Sequence, residues 1–320
     1  MRILWFSPTP SLYCSHSNFH NGGGWIASLE SIVREVEEVE LGVAFMHAGV
    51  SFNEERDGVS YYSITPQKKS LADKLLRKSS KSLVAKYLEI IEDFHPDLIQ
   101  VFGSENDFGS ICAHTHIPVV IHMQGCLPAY HNALFPVGMN TTDFALCGGL
   151  SWQRRLMGLL SEGTFRRRAE REIKTIQSCR YFMGRTHWDR ALVSLFNPTA
   201  EYFHCEEALR DSFIDCSKNW SVENWSDGKL KIISVISNPW YKGVDLILKT
   251  AKLLRQFTDI DFEWRVYGVS DIRFFENKYK IKANEVGVKI CGSVSSEELV
   301  EALVGSSVYV HPSYIDNSPN

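Results

Sequence analysis

Lys242 is where the 320-residue sequence most clearly offers chemistry. It follows the apolar run 232–236 and the turn 237–241, and with Gly243 it opens an amphipathic stretch. A cation at a strand-to-helix turn, beside backbone N–H groups that lack intrahelical partners, suits a diphosphate. The same two residues also read as the solvated start of an ordinary helix. In the first half, Asn21, Gly22, Gly23, Gly24 and Trp25 stand between the first apolar run and the first helical stretch. Three glycines there allow a backbone to approach a ligand at a helix N-terminus, and they equally suit a flexible loop. The spacing does not meet the dinucleotide fingerprint Gly-x-Gly-x-x-Gly.

Two further apolar runs of this half, 97–102 and 118–121, end in polar residues that place Glu105, His122 and Gln124 at one edge. His122 has two readings, a polar residue exposed at that edge or a structural histidine closing an apolar strand. Arg185 follows another short apolar run, with Thr186 placed to cap a helix. Its spacing also suits a helical ion pair with Asp189.

Other chemistries find less support. The eight cysteines show no Cys-x-x-Cys and no paired His/Cys spacing. The expectation is therefore no metal site, no disulfide framework, and reduced thiols in a cytoplasm. Asp259-Ile260-Asp261 precedes an apolar run and is expected to be a polar turn rather than a metal motif. A net charge of -4 gives no global reason for nucleic-acid binding. No apolar stretch has bilayer length, and the basic-then-apolar start, broken at Ser7 and Pro8, reads as a strand rather than a signal peptide. Two basic regions stand out: Lys68, Lys69, Lys74, Arg77, Lys78, Lys81 and Lys86, and Arg166, Arg167, Arg168, Arg171 and Lys174 interleaved with Glu170 and Glu172. Each is a solvated helix face or a peripheral contact with anionic lipid at the inner membrane face, the helix from Lys68 to Lys86 being the main candidate.

The elements that position these residues follow from periodicity. Short apolar runs alternate with amphipathic stretches, the sequence form of parallel sheets covered by helices. Strands are expected at 3–6, 41–47, 59–64, 98–102, 119–122 and 181–183, with a helix over 70–94. The Asp-, Ser-, Asn- and Trp-rich stretch 205–228 breaks the rhythm and is expected to be a linker. Strands at 231–236, 262–267, 288–291 and 308–311 then alternate with helices at 244–255, 271–283 and 296–304. Ser295 and Glu298 have capping-box spacing. The expected organisation is an N-terminal Rossmann-like domain over 1–204, the linker, and a second domain over 229–320.

In order and spacing, Lys242-Gly243, the strand ending at Gly268, the loop Gly292-Ser293-Val294 before Glu297-Glu298-Leu299, and Pro312-Ser313 followed by Asp316 resemble the donor domain of family 4 retaining glycosyltransferases. The resemblance covers nearly all of 229–320. It implies the GT-B fold: two doubly wound Rossmann-like domains facing a cleft, the second incomplete here. It also implies roles. Lys242 neutralises the donor diphosphate, Gly268 and Val294 frame the base, Asp316 touches the transferred sugar, and the N–H groups of Asn317 and Ser318 touch phosphate. His122 becomes a contact to the transferred sugar, and the loop of Gly22, Gly23 and Gly24 faces the donor phosphates. Gly184, Arg185, Thr186, Trp188 and Asp189 resemble a signature of a bacterial capsular or surface-polysaccharide branch, which makes Arg185 a candidate phosphate or acceptor contact.

Three departures stand against that family's pattern. Ser237 replaces an arginine, Asp316 replaces a glutamate, and a second glutamate expected eight residues later falls beyond Asn320. The chain is therefore expected to be C-terminally truncated, with a weak or absent donor site. The resemblance implies a UDP- or GDP-sugar substrate, no cofactor, no metal, and a glycan or lipid-linked acceptor. The alternatives are a GT-B-like sugar-nucleotide 2-epimerase, and a nonenzymatic fragment that binds nucleotide weakly.

Overall fold

The computed structural model describes residues 1–14, 24–65, 81–147, 152–225 and 228–317. The chain forms two compact units. The first comprises Met1–Pro128 and Arg168–Ala208, the second Ala129–Arg167 and Leu209–Asn320.

Among the described residues the sheet of the first unit has eight strands: β1 (Arg2–Ser7), β2 (Glu40–Met46), β3 (Asn53–Arg56), β4 (Val59–Ile64), β5 (Leu98–Phe102), β6 (Val119–His122), β7 (Tyr181–Gly184) and β8 (Glu201–His204). Their order is β3-β4-β2-β1-β5-β6-β7-β8. All pairings are parallel except β3 with β4, a hairpin closed by Asp57 and Gly58 at positive φ. The six expected strands are present within a residue or so of their bounds; β3 and β8 are additional. Leu4, Phe6, Val101 and Ile121 are fully buried in the sheet, and Tyr87, Ile91 and Phe94 on one face of the helix Lys81–Phe94 pack in the same cluster. The part of the expected 70–94 helix before residue 81 lies outside the described residues.

In the second unit, β9 (Leu230–Val235), β10 (Phe262–Tyr267), β11 (Val288–Gly292) and β12 (Val308–Tyr309) form a parallel sheet ordered β11-β10-β9-β12. Its helices are Val244–Phe257, Arg273–Tyr279 and Ser296–Val304. The stripe Val244, Ile247, Leu248 and Ala251 is buried against the sheet. Ser295 and Glu298 form the expected capping box.

Three findings differ from the sequence reading. Residues Ala129–Arg167 group with the second unit rather than with 1–204. The reason is aromatic: Phe144 packs on Trp240 with ring centroids 4.9 Å apart, and Met139 is buried in the second core. The expected linker 205–228 is held onto the second unit from Leu209 onward. There Trp220 Nε1 donates to Ser306 O at 2.8 Å, and Asn224 Nδ2 donates to Val304 O at 2.6 Å. Finally, Cys112 and Cys179 are joined by a disulfide, their Cα atoms 5.4 Å apart, which corrects the expectation of uniformly reduced thiols. They lie 67 positions apart, so no local spacing advertises a pair that forms only when the 3₁₀ helix Asp107–Ala113 meets the end of the helix Trp152–Ser178. Among the described residues, no helix is long and apolar enough to cross a membrane.

Candidate functional site

Parallel α/β sheets bind ligands beyond the carboxyl ends of their strands, where the strand order reverses. In the second unit the chain runs outward from β9 through β10 to β11 and returns to place β12 on the other side of β9, so the reversal lies between β9 and β12. Lys242 leaves the first of these strands and Asp316 the second, and they meet as an ion pair with side chains only 14% exposed. Asp316 Oδ2 also bonds His311 Nε2 at 2.7 Å, and His311 Nδ1 bonds the Tyr309 hydroxyl at 3.1 Å. A chain of Tyr309, His311, Asp316 and Lys242 therefore spans the reversal point.

The loop after β12 is fixed from below. Tyr314 Oη donates to Asp245 Oδ2 at 2.8 Å, and Tyr314 N donates to Tyr241 O at 2.8 Å. Asp245 is fully buried in the first turn of the helix Val244–Phe257, where the helix dipole favours a carboxylate. Burial, then Asp245, raises the Tyr314 phenol well above its usual range. Gly243 is required at the crossing. It has φ 80°, and a Cβ there would lie 2.2 Å from Pro312 O. Beside it the Ser313 hydroxyl is buried without a hydrogen-bond partner. Gly268 follows β10 and donates to Gly292 O at 2.7 Å, and Val294 lies two residues beyond β11. Lys242, Gly268, Val294, Asp316 and Asn317 thus share the carboxyl edge of one sheet. Ser318 lies outside the described residues. A cavity of about 500 Å³ opens on the opposite, amino edge, lined by Lys229, Arg255 and Lys289 among others, away from this set.

In the first unit the reversal falls between β1 and β5. Gly24 starts the helix Gly24–Val33 that follows β1, and buried Glu30 of that helix accepts from Leu12 N at 3.1 Å. Gly22 and Gly23 lie outside the described residues. His122 ends β6, is 1% exposed, and lies against Trp25 and Phe102 with centroids 5.0 Å and 6.0 Å away. Both of its ring nitrogens lack a hydrogen-bond partner. Burial first, and the charge of Arg185 second, hold the imidazole down to about 4, so it is neutral at physiological pH. A neutral imidazole with two unused nitrogens is equipped to exchange hydrogen bonds with a hydroxyl.

Arg185 is already ion-paired with Glu207, each side chain 8% exposed. Asp189 instead completes the Thr186 capping box and accepts from the Tyr202 hydroxyl. Glu105 is held by backbone N–H groups, its own and that of Gly125, and burial raises its carboxyl. Gln124 is half-buried on the same edge.

Sequence reasoning missed Glu172, taken as one charge balancing its arginine neighbours. It is 1% exposed and accepts from Ser104 Oγ and from Leu127 N, the latter at 2.8 Å. Burial, reinforced by the negative charge of Glu105, pushes its carboxyl up to about 8. Its i, i+4 relation to Arg168 and Ile176, on a face that also carries buried Ala169, was the available signal. His311, Tyr309 and Ser313 were also missed. Among the described residues no group of three or more His, Cys, Asp or Glu is arranged to hold a metal ion. Asp259 and Asp261 lie in the loop before β10, Asp261 facing Arg255 at 3.7 Å.

Two Rossmann-like units built on parallel sheets define the GT-B class of fold. Solved structures bear this out. Sucrose-phosphate synthase from Thermosynechococcus elongatus superposes with a TM-score of 0.62 at 10% identity, covering 99% of this chain and 77% of that one. The trehalose-6-phosphate synthase OtsA gives 0.57 at 8% identity, covering 100% and 80%. WaaG, a glycosyltransferase involved in lipopolysaccharide biosynthesis, gives 0.53 at 12% identity, covering 98% and 75%. At these identities the likeness is one of fold. Residues 217–319 match the family model of glycosyl transferases group 1. No curated protein matches the chain in sequence.

Proposed function

We propose that this protein transfers a sugar from a nucleoside-diphosphate sugar to a glycan or lipid-linked acceptor, with retention at the anomeric carbon. The observation that carries the reading is Lys242 paired with Asp316 at the strand-order reversal of the unit that matches the glycosyl transferases group 1 model. When the bond from the anomeric carbon to the diphosphate oxygen breaks, its electron pair leaves with the diphosphate. The charge that builds there needs a preplaced cation and N–H donors. Lys242 supplies the cation and the unpartnered Ser313 hydroxyl a donor, while Asp316 is released from Lys242 to meet the sugar hydroxyls and frees the Asn317 N–H, which donates to its Oδ1 at 3.1 Å, as a second donor. The acceptor hydroxyl attacks the face the diphosphate leaves and gives up its proton to the departing phosphate oxygen. Neutral His122, on its own unit, is the group we assign to a sugar hydroxyl. The scheme assigns no step to a metal or cofactor.

The test is calorimetric titration of the chain with UDP- and GDP-sugars, followed by NMR of the anomeric proton in the product formed on a glycan acceptor mixture. Donor-dependent transfer with an unchanged anomeric configuration is expected. Absence of binding by every nucleotide sugar, or inversion, would overturn the reading. Buried Glu172, with Glu105 as its charged neighbour, favours one alternative, sugar-nucleotide 2-epimerisation, because a carboxyl held protonated beside another suits proton transfer at carbon. Incubation with UDP-sugars in D₂O without acceptor separates the two. Deuterium at C2 would select epimerisation, and its absence alongside transfer selects the transferase.

A further inference from the structure

The helix Trp152–Ser178 carries an apolar face that nothing in its own unit covers. Trp152, Leu156, Leu159 and Leu160 are 70%, 47%, 50% and 54% exposed. At about 100° per residue they fall within an arc of roughly 100°, with Gly163 and Arg167 on the same side. The opposite side is the packed one. A Cβ on Gly158 would lie 2.7 Å from Ala145 Cα, Phe165 stacks on His131 with centroids 6.0 Å apart, and the Thr141 hydroxyl donates to Glu162. So this segment is amphipathic in the inverted sense: the face turned away from its unit is apolar, and backbone contact holds the other.

Charge brackets the strip. Arg155 stands near its start and Arg166 and Arg167 at its end, against Glu162 alone among carboxylates between 152 and 167. The aromatic residue sits at one end of the strip and leucines fill its middle. That distribution matches a helix lying in the headgroup region of a bilayer, with indole at the interface, short apolar side chains dipping toward acyl chains, and guanidinium groups on lipid phosphates. The helix is too charged to span, and no described helix has the length and apolarity to do so.

We infer that residues 152–167 form a monotopic docking surface for anionic lipid bilayers, lying on the membrane through Trp152, Leu156, Leu159 and Leu160. The inference stands on exposure, helical phase and charge, independently of any catalytic activity. It places membrane contact on a different segment from the Lys68–Lys86 region of the sequence reading.

Vesicle co-sedimentation of the full chain tests it, with vesicles of phosphatidylglycerol and phosphatidylcholine against phosphatidylcholine alone. The wild type is expected to sediment with the anionic vesicles and to be released progressively by salt. Replacing Trp152, Leu156 and Leu160 together by Ser is expected to lower the partition coefficient by at least about a hundredfold, because three largely apolar insertions are lost. The pair Arg166→Gln and Arg167→Gln is expected to lower it by on the order of tenfold, and only on anionic vesicles. Circular dichroism melts confirm folding of both variants. If the triple variant fails to fold, the arginine pair and the salt series decide. Wild type that ignores anionic vesicles, or a folded triple variant that binds as well as wild type, overturns the inference. So does a wild-type dimer that the triple variant dissociates while vesicle binding is absent, which would assign the strip to a second copy of the chain.

Discussion

Lys242 and Asp316 make the sharpest test of the proposed donor site, because the proposed function gives their removal opposite signs. Asp316 and a diphosphate are both anions, and both need the same ammonium group. Lys242→Met removes charge-assisted hydrogen bonds to the ligand, each worth about 1.5–3 kcal/mol. UDP affinity should therefore fall by roughly 10- to 100-fold. Asp316 keeps His311 at 2.7 Å as a partner in that variant, so the loop after β12 should hold. Asp316→Asn removes the competitor while leaving an oxygen for His311. At 14% exposure of both side chains the pair is neither fully screened nor fully desolvated. Freeing Lys242 should then contribute about 0.5–1.5 kcal/mol to UDP binding, a gain of roughly threefold to tenfold. With a nucleotide sugar the same variant should lose turnover, because the group meeting the sugar is gone. The assay is calorimetric titration with UDP and GDP at two salt concentrations, with the double variant closing a thermodynamic cycle. Equal weakening by both single variants, or no change beyond about twofold in either, would refute the competition between Asp316 and diphosphate.

Three further outcomes are expected. His122→Phe should abolish most transfer while leaving UDP affinity unchanged. It should also flatten the acid limb of stability: the folded imidazole stays neutral down to about 4, so the unfolded chain binds the extra proton, and stability falls as pH drops from about 6.5. That loss is on the order of 3 kcal/mol in wild type and absent from the variant, as thermal melts across pH would show. Glu172→Gln carries the opposite sign, because a carboxyl raised to about 8 costs stability as pH rises from about 4.5 through 8. The variant should melt above wild type at pH 8.5, by on the order of 2–4 kcal/mol, and lose that advantage at pH 4.5. Gly243→Ala should cost about 2 kcal/mol or more and weaken UDP binding, because its Cβ would sit 2.2 Å from Pro312 O and the chain cannot relax without moving that loop.

The strands with buried runs were legible because their composition allowed no other use: Ile3, Leu4, Trp5 and Phe6, or Val119 to Ile121, cannot face water along their whole length. β3 was not, because all four of its residues are exposed and polar, and only the Asp57-Gly58 turn announces its hairpin. The helix Trp152–Ser178 hid for a different reason. Its first half shows apolar residues outward while its second buries Ala169, Glu172 and Ile176, so no single stripe runs its length. Lys242 and Asp316 were singled out from ordered motifs, and the sheet order brings them together. Tyr309 and His311 were not singled out because a two-residue strand with exposed side chains carries little pattern. Glu172 was misread because a carboxylate among arginines has the same sequence signature whether it is solvated or buried.

The grouping of Ala129–Arg167 with the second unit has a consequence for the chain as it emerges from the ribosome. The first unit has all eight of its strands once residue 204 is made. Phe135, Met139 and Phe144, already synthesised, must still wait for Trp240, Phe274 and Phe275 before their apolar surface is covered. At about 5–20 residues per second, roughly a hundred residues of further synthesis leave that surface open for about 5–20 s. During that interval the nascent chain displays an uncovered aromatic segment, the kind of transiently exposed apolar surface from which aggregation starts.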